Sequence, residues 1–498
     1  MQSKNVSLKA ALTTLGCKVN QYETAAIQEA LEGKGFEIVP FNAKADVYVI
    51  NTCTVTAATN YQSRQLIRRA HRKNPDAAVI VTGCYAQINP GAIAAIDGVV
   101  VIAGNAEKEK LPDMIEEIVK DKTRAVPKIP PRHPLEKGEM EFSPLEKKEM
   151  DGLPFERGGM GCPPFERGGW VNLHGNAAGL MVGDIRQSRQ IARMHVTHFP
   201  GHTRAFLKIQ DGCDSFCSYC IVPFARGPER SLPPDAVMES VAAFAQAGHR
   251  EVVLTGIHLG RYGRDLTPPA TLLDILERVE RRKTVERLRL SSIEAQEVSD
   301  EMIAFMAKAE TLCRHLHIPL QSGDDEILAL MKRNYDARFF KDLLEKLRQA
   351  IPDIAIGIDV MVGFPGEDKA AFENTRRFIE EIPVAYLHVF PYSERPGTAA
   401  TALPGKVREA DKKERAEILR NLGKKKRAAF GEQFIGRELT VLVERGKKIN
   451  PAGMTGFSGN YIPVVILSGG DDLANQIVRA VPEYYEDGKL YARTIGIE

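Results

Sequence analysis

The sequence predicts an α/β protein in three parts: an N-terminal parallel-sheet domain, a central six-stranded (β/α) partial barrel and a small C-terminal all-β barrel. Short β-rich apolar runs alternate with amphipathic helical stretches over residues 1–125. The alternation resumes over 201–432, six strands long, and after 433 gives way to short β runs separated by turn residues. At about 100–200 residues per domain, a chain of 498 residues holds two to four such units.

In the first part, 7–14 leads to Gly16-Cys17, and the helical pattern of 21–33 ends on glycine. The run 46–50 leads into Asn51-Thr52-Cys53, and 77–81 into Thr82-Gly83-Cys84. Ligands of open α/β sheets bind at the carboxyl edge, so three thiols far apart in sequence are expected on one rim. Residues 126–200 read as an inserted, largely disordered linker. Within it, 134–173 is a fourfold decapeptide repeat (PLEKGEMEFS, PLEKKEMDGL, PFERGGMGCP, PFERGGWVNL) whose Pro, Gly and charge content cannot bury a core. Cys162 and Trp170, the chain's only tryptophan, read as passengers of that repeat. Barrel strands are expected at 204–209, 251–255, 287–291, 315–319, 354–362 and 386–391, with helices such as 234–247 and 370–382 between them. Active sites of βα barrels lie at the strands' carboxyl ends. The last domain's strands are expected at 438–443, 462–467, 476–481 and 489–494.

Composition excludes several functions. No stretch approaches the roughly 20 apolar residues of a membrane span, and the N-terminus lacks the apolar core of a secretory signal, so a cytoplasmic protein is expected. With 67 Lys+Arg against 65 Asp+Glu, no global field draws the chain to nucleic acid. Eight cysteines are too sparse for a disulfide scaffold. Three of them, Cys213, Cys217 and Cys220, form a tight CxxxCxxC just after the first barrel strand. Three soft thiolates select iron–sulfur, zinc or copper(I). Structural zinc normally takes four ligands in paired knuckles, and no second knuckle follows here.

This CxxxCxxC in a βα barrel resembles the radical S-adenosylmethionine (SAM) superfamily. The resemblance implies a [4Fe–4S] cluster on Cys213, Cys217 and Cys220, with SAM chelating the open iron. Strand-end residues fit a SAM pocket: Thr255 and Gly256, Ser292 and Glu294, Gln321 and Ser322, and Gly363 of the GFPGE run. Taken singly, GFPGE could equally be an ordinary turn and helix cap. The N-terminal GCKVNQYE, NTCTV and TGCYAQ, with QDGC, PFARG, HIPLQSG and RPGTA further on, resemble the methylthiotransferase family over nearly the whole chain outside 126–200. That family implies a flavodoxin-like N-terminal domain, a radical SAM barrel and a C-terminal TRAM domain. It further implies a second [4Fe–4S] cluster on Cys17, Cys53 and Cys84, a second SAM, a tRNA substrate and a low-potential flavodoxin or ferredoxin as electron donor.

LGCKVNQYE, TGCYAQ and HVFPYS look most like the branch that modifies C2 of N6-threonylcarbamoyladenosine 37. N6-isopentenyladenosine 37 and an aspartate of ribosomal protein S12 are the substrates of the other branches. RNA-binding candidates are Arg64, Arg68, Arg69, Arg72 and Lys73 on one helix, and Lys424, Lys425, Lys426 and Arg427 before the last domain; such runs are as often solvated helix faces. Residues 433–498 carry seven Lys+Arg against eight Asp+Glu, which is no conventional basic grip and keeps the protein-modifying branch open. A reading of a different class is a non-catalytic iron–sulfur or zinc RNA-binding module. Of the rest, Arg226 is expected either in an ion pair or against SAM or substrate, Cys313 as a buried thiol, and one of His315 and His317 inside the barrel.

Overall fold

The computed structural model describes residues 7–120, 170–173, 176–192, 194–197, 199, 201–449, 453–467 and 473–497. In the first domain, β1 (Lys9–Thr14), β2 (Glu37–Ile38), β3 (Val47–Thr52), β4 (Ala78–Gly83) and β5 (Val99–Ala103) run parallel in the order β2-β1-β3-β4-β5. All six residues of β3 are buried, as expected for a strand covered on both faces. One face packs Tyr22, Ile27 and Leu31 of the helix Lys18–Gly33, and the other packs Ile67 and Ala70 of the helix Ala57–Lys73.

The sheet continues through two strands drawn from the expected linker. β6 (Trp170–Leu173) pairs antiparallel with β7 (Asn176–Met181), which in turn lies parallel to β5. Beyond them Ile185, Ile191, Met194, Val196 and Phe199 are buried. The expectation of disorder up to residue 200 is therefore corrected for the described residues between 170 and 199, and Trp170 sits in a strand rather than in a loose repeat. The sequence NAAGLM of β7 gives no alternation; pairing with the open edge of β5 is what makes it a strand. Cys162 and most of the repeat lie outside the described residues. Excising 134–173 should consequently cost thermal stability by removing β6, whereas a cut ending at 169 should leave the melting temperature and SAM cleavage nearly unchanged.

The barrel strands are β8 (Arg204–Lys208), β11 (Glu251–Thr255), β12 (Arg287–Leu290), β13 (His315–His317), β14 (Ala355–Val362) and β15 (Tyr386–Pro391); a short antiparallel pair, β9 (Gln210–Asp211) and β10 (Arg230–Ser231), follows the first of them. Two parallel triplets, β12-β11-β8 and β13-β14-β15, are joined by bridges Leu288–Leu312 and Ser292–His317 into one open wall of six strands. The helix Lys18–Gly33 packs on β8 at one edge, and the helix Glu409–Glu432 packs on β15 at the other.

The last domain closes into a five-stranded barrel of β16 (Leu439–Ile449), β17 (Gly453–Ser458), β18 (Pro463–Ile466), β19 (Ile477–Glu486) and β20 (Lys489–Ile497). β5 and β17 go beyond the strands expected from sequence; two glycines in GMTGFS mask β17. Among the described residues no helix is long and apolar enough to cross a membrane.

Candidate active site: two cysteine rims and a shared cavity

The barrel triplet sits where the chain leaves β8 and β9. Gly212, at φ +77°, makes the turn; a Cβ there would fall 1.9 Å from the carbonyl oxygen of Pro228. The Cys213 amide then donates to the Gly227 carbonyl at 3.0 Å, and the Cys220 amide to that of Cys217 at 2.9 Å. All three thiols are half-buried. Burial, with the neighbouring Cys217 and Cys213 adding, pushes the Cys220 thiol up to about 12. Cations lie beside the other two. His258 Nδ1 is 3.4 Å from Cys213 Sγ, and its Nε2 is 2.7 Å from Glu297. Burial opposes a charge on that ring, but the hydrogen bonds to Cys213 and Glu297 prevail and raise it to about 10. Arg333, ion-paired with Glu294, donates to Cys217 Sγ at 3.7 Å and lies over the Tyr335 ring. His258, Glu297 and Arg333 escaped the sequence reading because they stand 45 to 116 residues from the thiols they serve.

The N-terminal rim is built from three strand ends. Cys17 caps the helix Lys18–Gly33, Cys53 follows β3, and Cys84 opens a short helix after β4. Close approach requires glycine at two points: a Cβ on Gly16 would lie 2.9 Å from Cys53 Cβ, and one on Gly83 2.4 Å from the Thr52 carbonyl oxygen. Cys53 and Cys84 are buried, while Cys17 is exposed, into the cavity described below. Burial, with Cys84 and Cys17 adding, pushes the Cys53 thiol up to about 11. The three thiols thus form one electrostatic group, as the convergence on a single rim requires.

Each rim offers three soft thiols, and among the described residues no three His, Cys, Asp or Glu side chains close on a single ion. Such a donor set suits a cluster with one iron left open better than a four-ligand zinc site. The electrostatics around the N-terminal rim point the same way. Glu23, fully buried, receives Lys108, Lys208 (3.0 Å) and Arg226 (2.6 Å); Asp211 receives Arg226 (3.2 Å), Lys208 (3.3 Å) and Arg230 (3.6 Å). Four cations against two carboxylates leave positive charge in excess, and Arg226 acts on both Cys17 and Cys84. That surplus offsets part of the burial that pushes the Cys17 thiol up, and it favours an anionic group bound at the rim. Arg226 is therefore an ion-paired residue, and its network bolts the first domain to the barrel.

A cavity of about 530 Å³ lies between the three domains. Cys17 and Lys18 form one wall, Thr255, Gly256, Ser291 and Ser292 another, and Phe457 and Tyr461 of the last domain the floor. Thr255, Gly256 and Ser292 are thus brought to the side of the cavity that Cys17 faces. Glu294 is instead the partner of Arg333. Gln321 takes φ +68° and its amide donates to the Asp359 carbonyl at 2.8 Å. Ser322 is held by Thr375 at 3.1 Å, and the Gly363 amide by Glu367 at 2.8 Å, so these two serve turns. Both His315 and His317 line the cavity, the latter paired with Asp359 at 3.0 Å.

The basic runs separate as well. Arg68, Arg69, Arg72 and Lys73 are exposed, as are Lys424 and Lys425. Three candidates are half-buried and engaged elsewhere: Arg64 donates to the Tyr85 hydroxyl at 3.0 Å, Lys426 to the carbonyls of Glu380 and Ile382, and Arg427 lines the cavity. Helical periodicity turns adjacent basic residues to different faces, which a count of charges does not register.

An open six-stranded βα wall with three thiols after its first strand defines a radical SAM enzyme, and residues 207–379 match the Radical SAM superfamily. Residues 9–104 match the uncharacterized protein family UPF0004. The threonylcarbamoyladenosine tRNA methylthiotransferase MtaB of Bacillus subtilis is 38% identical, over 94% of this chain and 92% of its own. Its counterpart from Aquifex aeolicus is 36% identical over 88% and 93%. The tRNA-2-methylthio-N(6)-dimethylallyladenosine synthase of Moorella thermoacetica is 30% identical over 94% of both. Among solved structures, the radical SAM methyltransferase TsrM of Kitasatospora setae aligns at TM-score 0.48 and 18% identity, covering 78% of this chain and 72% of that one. The chain belongs to the methylthiotransferase family of radical SAM enzymes.

Proposed function

We propose that this enzyme inserts a methylthio group at C2 of N6-threonylcarbamoyladenosine 37 in tRNA, in the cytoplasm, using two [4Fe–4S] clusters and two SAM molecules. The observation that carries the reading is the cavity in which Cys17 of one rim faces Thr255, Gly256 and Ser292 at the barrel's strand ends. Relatives named for this nucleoside, at 31% to 38% identity over most of the chain, support the substrate. Cys213, Cys217 and Cys220 would hold one cluster, which would supply the electron for reductive cleavage of SAM, and Cys17, Cys53 and Cys84 would hold a second, which would supply the sulfur.

The chain's own residues do the rest. His258 and Arg333 stand against Cys213 and Cys217 and fix the two sulfurs that would hold iron. Arg226 lies close enough to act on Cys17 and Cys84, and Lys108 on Cys84. Phe457 and Tyr461 form an aromatic floor that closes one side of the cavity and limits the water within it. Exposed Arg68, Arg69, Arg72, Lys73, Lys424 and Lys425 supply phosphate contacts, and a low-potential flavodoxin or ferredoxin supplies electrons.

The test is nucleoside mass spectrometry of tRNA from a deletion strain. The methylthiolated threonylcarbamoyladenosine should vanish; its persistence with loss of the S12 modification would reassign the substrate. Within the enzyme, Cys53→Ala should keep SAM cleavage while sulfur insertion falls below detection. Loss of both activities would refute separate tasks for the two rims.

A further inference from the structure

We propose that Lys18 and Arg427 form an anion-binding end of the cavity and hold the carboxylate of the substrate's N6 substituent, an inference that rests on the nucleoside reading above. Four cations, Lys18, Arg204, Arg289 and Arg427, wall this cavity against a single carboxylate, Asp359. Most of these charges are already matched. Arg204 pairs with Glu444 at 3.5 Å and lies over the Phe457 ring. Arg289 pairs with Glu251 at 2.7 Å and donates to the Gly459 carbonyl at 3.1 Å. Asp359 is taken by His317.

Lys18 and Arg427 differ: among the described residues neither has an ion-pair partner. The Arg427 guanidinium carbon lies over the Tyr386 ring, 5.5 Å from its centroid, a contact that consumes none of its N–H donors. Both side chains are half-buried at the cavity wall, where an anion bound beside them supplies the missing counter-charge. The volume lies in the usual range for small-molecule sites, about 300–1,000 Å³, and suits one nucleoside taken out of the base stack. A threonylcarbamoyl group ends in a carboxylate, which matches a guanidinium fork in charge and geometry. A dimethylallyl group offers these cations nothing. The carboxylate of SAM belongs at the barrel triplet, none of whose thiols line this cavity.

The decisive experiment needs no variant at first. Reconstituted holoenzyme is given two anticodon stem-loop RNAs that differ only at the threonyl end, carboxylate in one and carboxamide in the other, and kcat/KM for methylthiolation is compared. Wild type should prefer the carboxylate by about tenfold to a hundredfold, the range for a charge-assisted hydrogen bond. Arg427→Met should bring the ratio near unity, with Arg427→Lys retaining part of it and Lys18→Met lowering it. Equal use of both RNAs by wild type overturns the inference while leaving the nucleoside reading intact, and so does an Arg427→Met enzyme that lowers both rates alike, which would assign the cation to phosphate. Failure to modify either RNA overturns the nucleoside reading instead.

Discussion

Cys213→Ala is expected to abolish SAM cleavage, with 5′-deoxyadenosine falling below detection in the reconstituted enzyme. The reason is one of ligand number: two thiolates cannot hold a cluster and leave one iron distinct for SAM. The same change removes the partner of His258, 3.4 Å away, and with it one of the two hydrogen bonds that raise that ring's pKa. A useful contrast is Cys313→Ala. That thiol is also buried, but it stands beside Arg289 and belongs to neither triplet, so it should be dispensable for cleavage. Iron per chain should fall by about half in Cys213→Ala and stay at the wild-type level in Cys313→Ala. Cleavage surviving in Cys213→Ala would remove the barrel triplet from the chemistry.

Glu23→Gln should destabilise the junction between the first domain and the barrel by about 3–5 kcal/mol, the range for removing one partner of a buried ion pair. The substitution leaves Lys108 without its carboxylate and Lys208 and Arg226 with Asp211 alone, Lys108 and Arg226 both being fully buried. Calorimetry should register it as a lower midpoint for the transition in which the domains part. The effect also predicts an acid dependence. Burial pushes Glu23 upward, but Arg226, Lys108 and Lys208 overcome it and hold the carboxyl well below its ordinary range; Asp211 is similarly held at about 2. Groups depressed in the folded state contribute fully above their ordinary values near pH 4, and the contribution fades as pH falls toward 2. Glu23→Gln should therefore flatten the acid limb of the stability profile, and an unchanged limb would refute the assignment.

Much of the architecture was legible because strand and helix signals are local. All six barrel strands and the three N-terminal strands bearing thiols are where periodicity and terminal glycines put them. What failed was non-local. β7 has a nondescript sequence and exists by pairing with β5, so nothing within 176–181 announces it. The six cysteines announced themselves by spacing and by their place after strands. The groups that tune them did not, because a histidine at 258 or an arginine at 333 acquires meaning only when the barrel closes it onto Cys213 or Cys217. Arg427 shows the opposite limit: it stands in a conspicuous basic run, yet its helix face turns it to the cavity, which a run of charges does not announce.

The floor of the cavity has a consequence for anyone recombining these enzymes. Arg287 and Arg289 reach the carbonyls of Phe457, Ser458 and Gly459, and Tyr461 is stacked between Arg204 and Arg289. The C-terminal domain is thus no detachable handle. A chimera that imports it from another branch would transplant part of the reaction chamber along with it, so modularity in this family ends at the residue 457–463 hairpin rather than at the domain boundary.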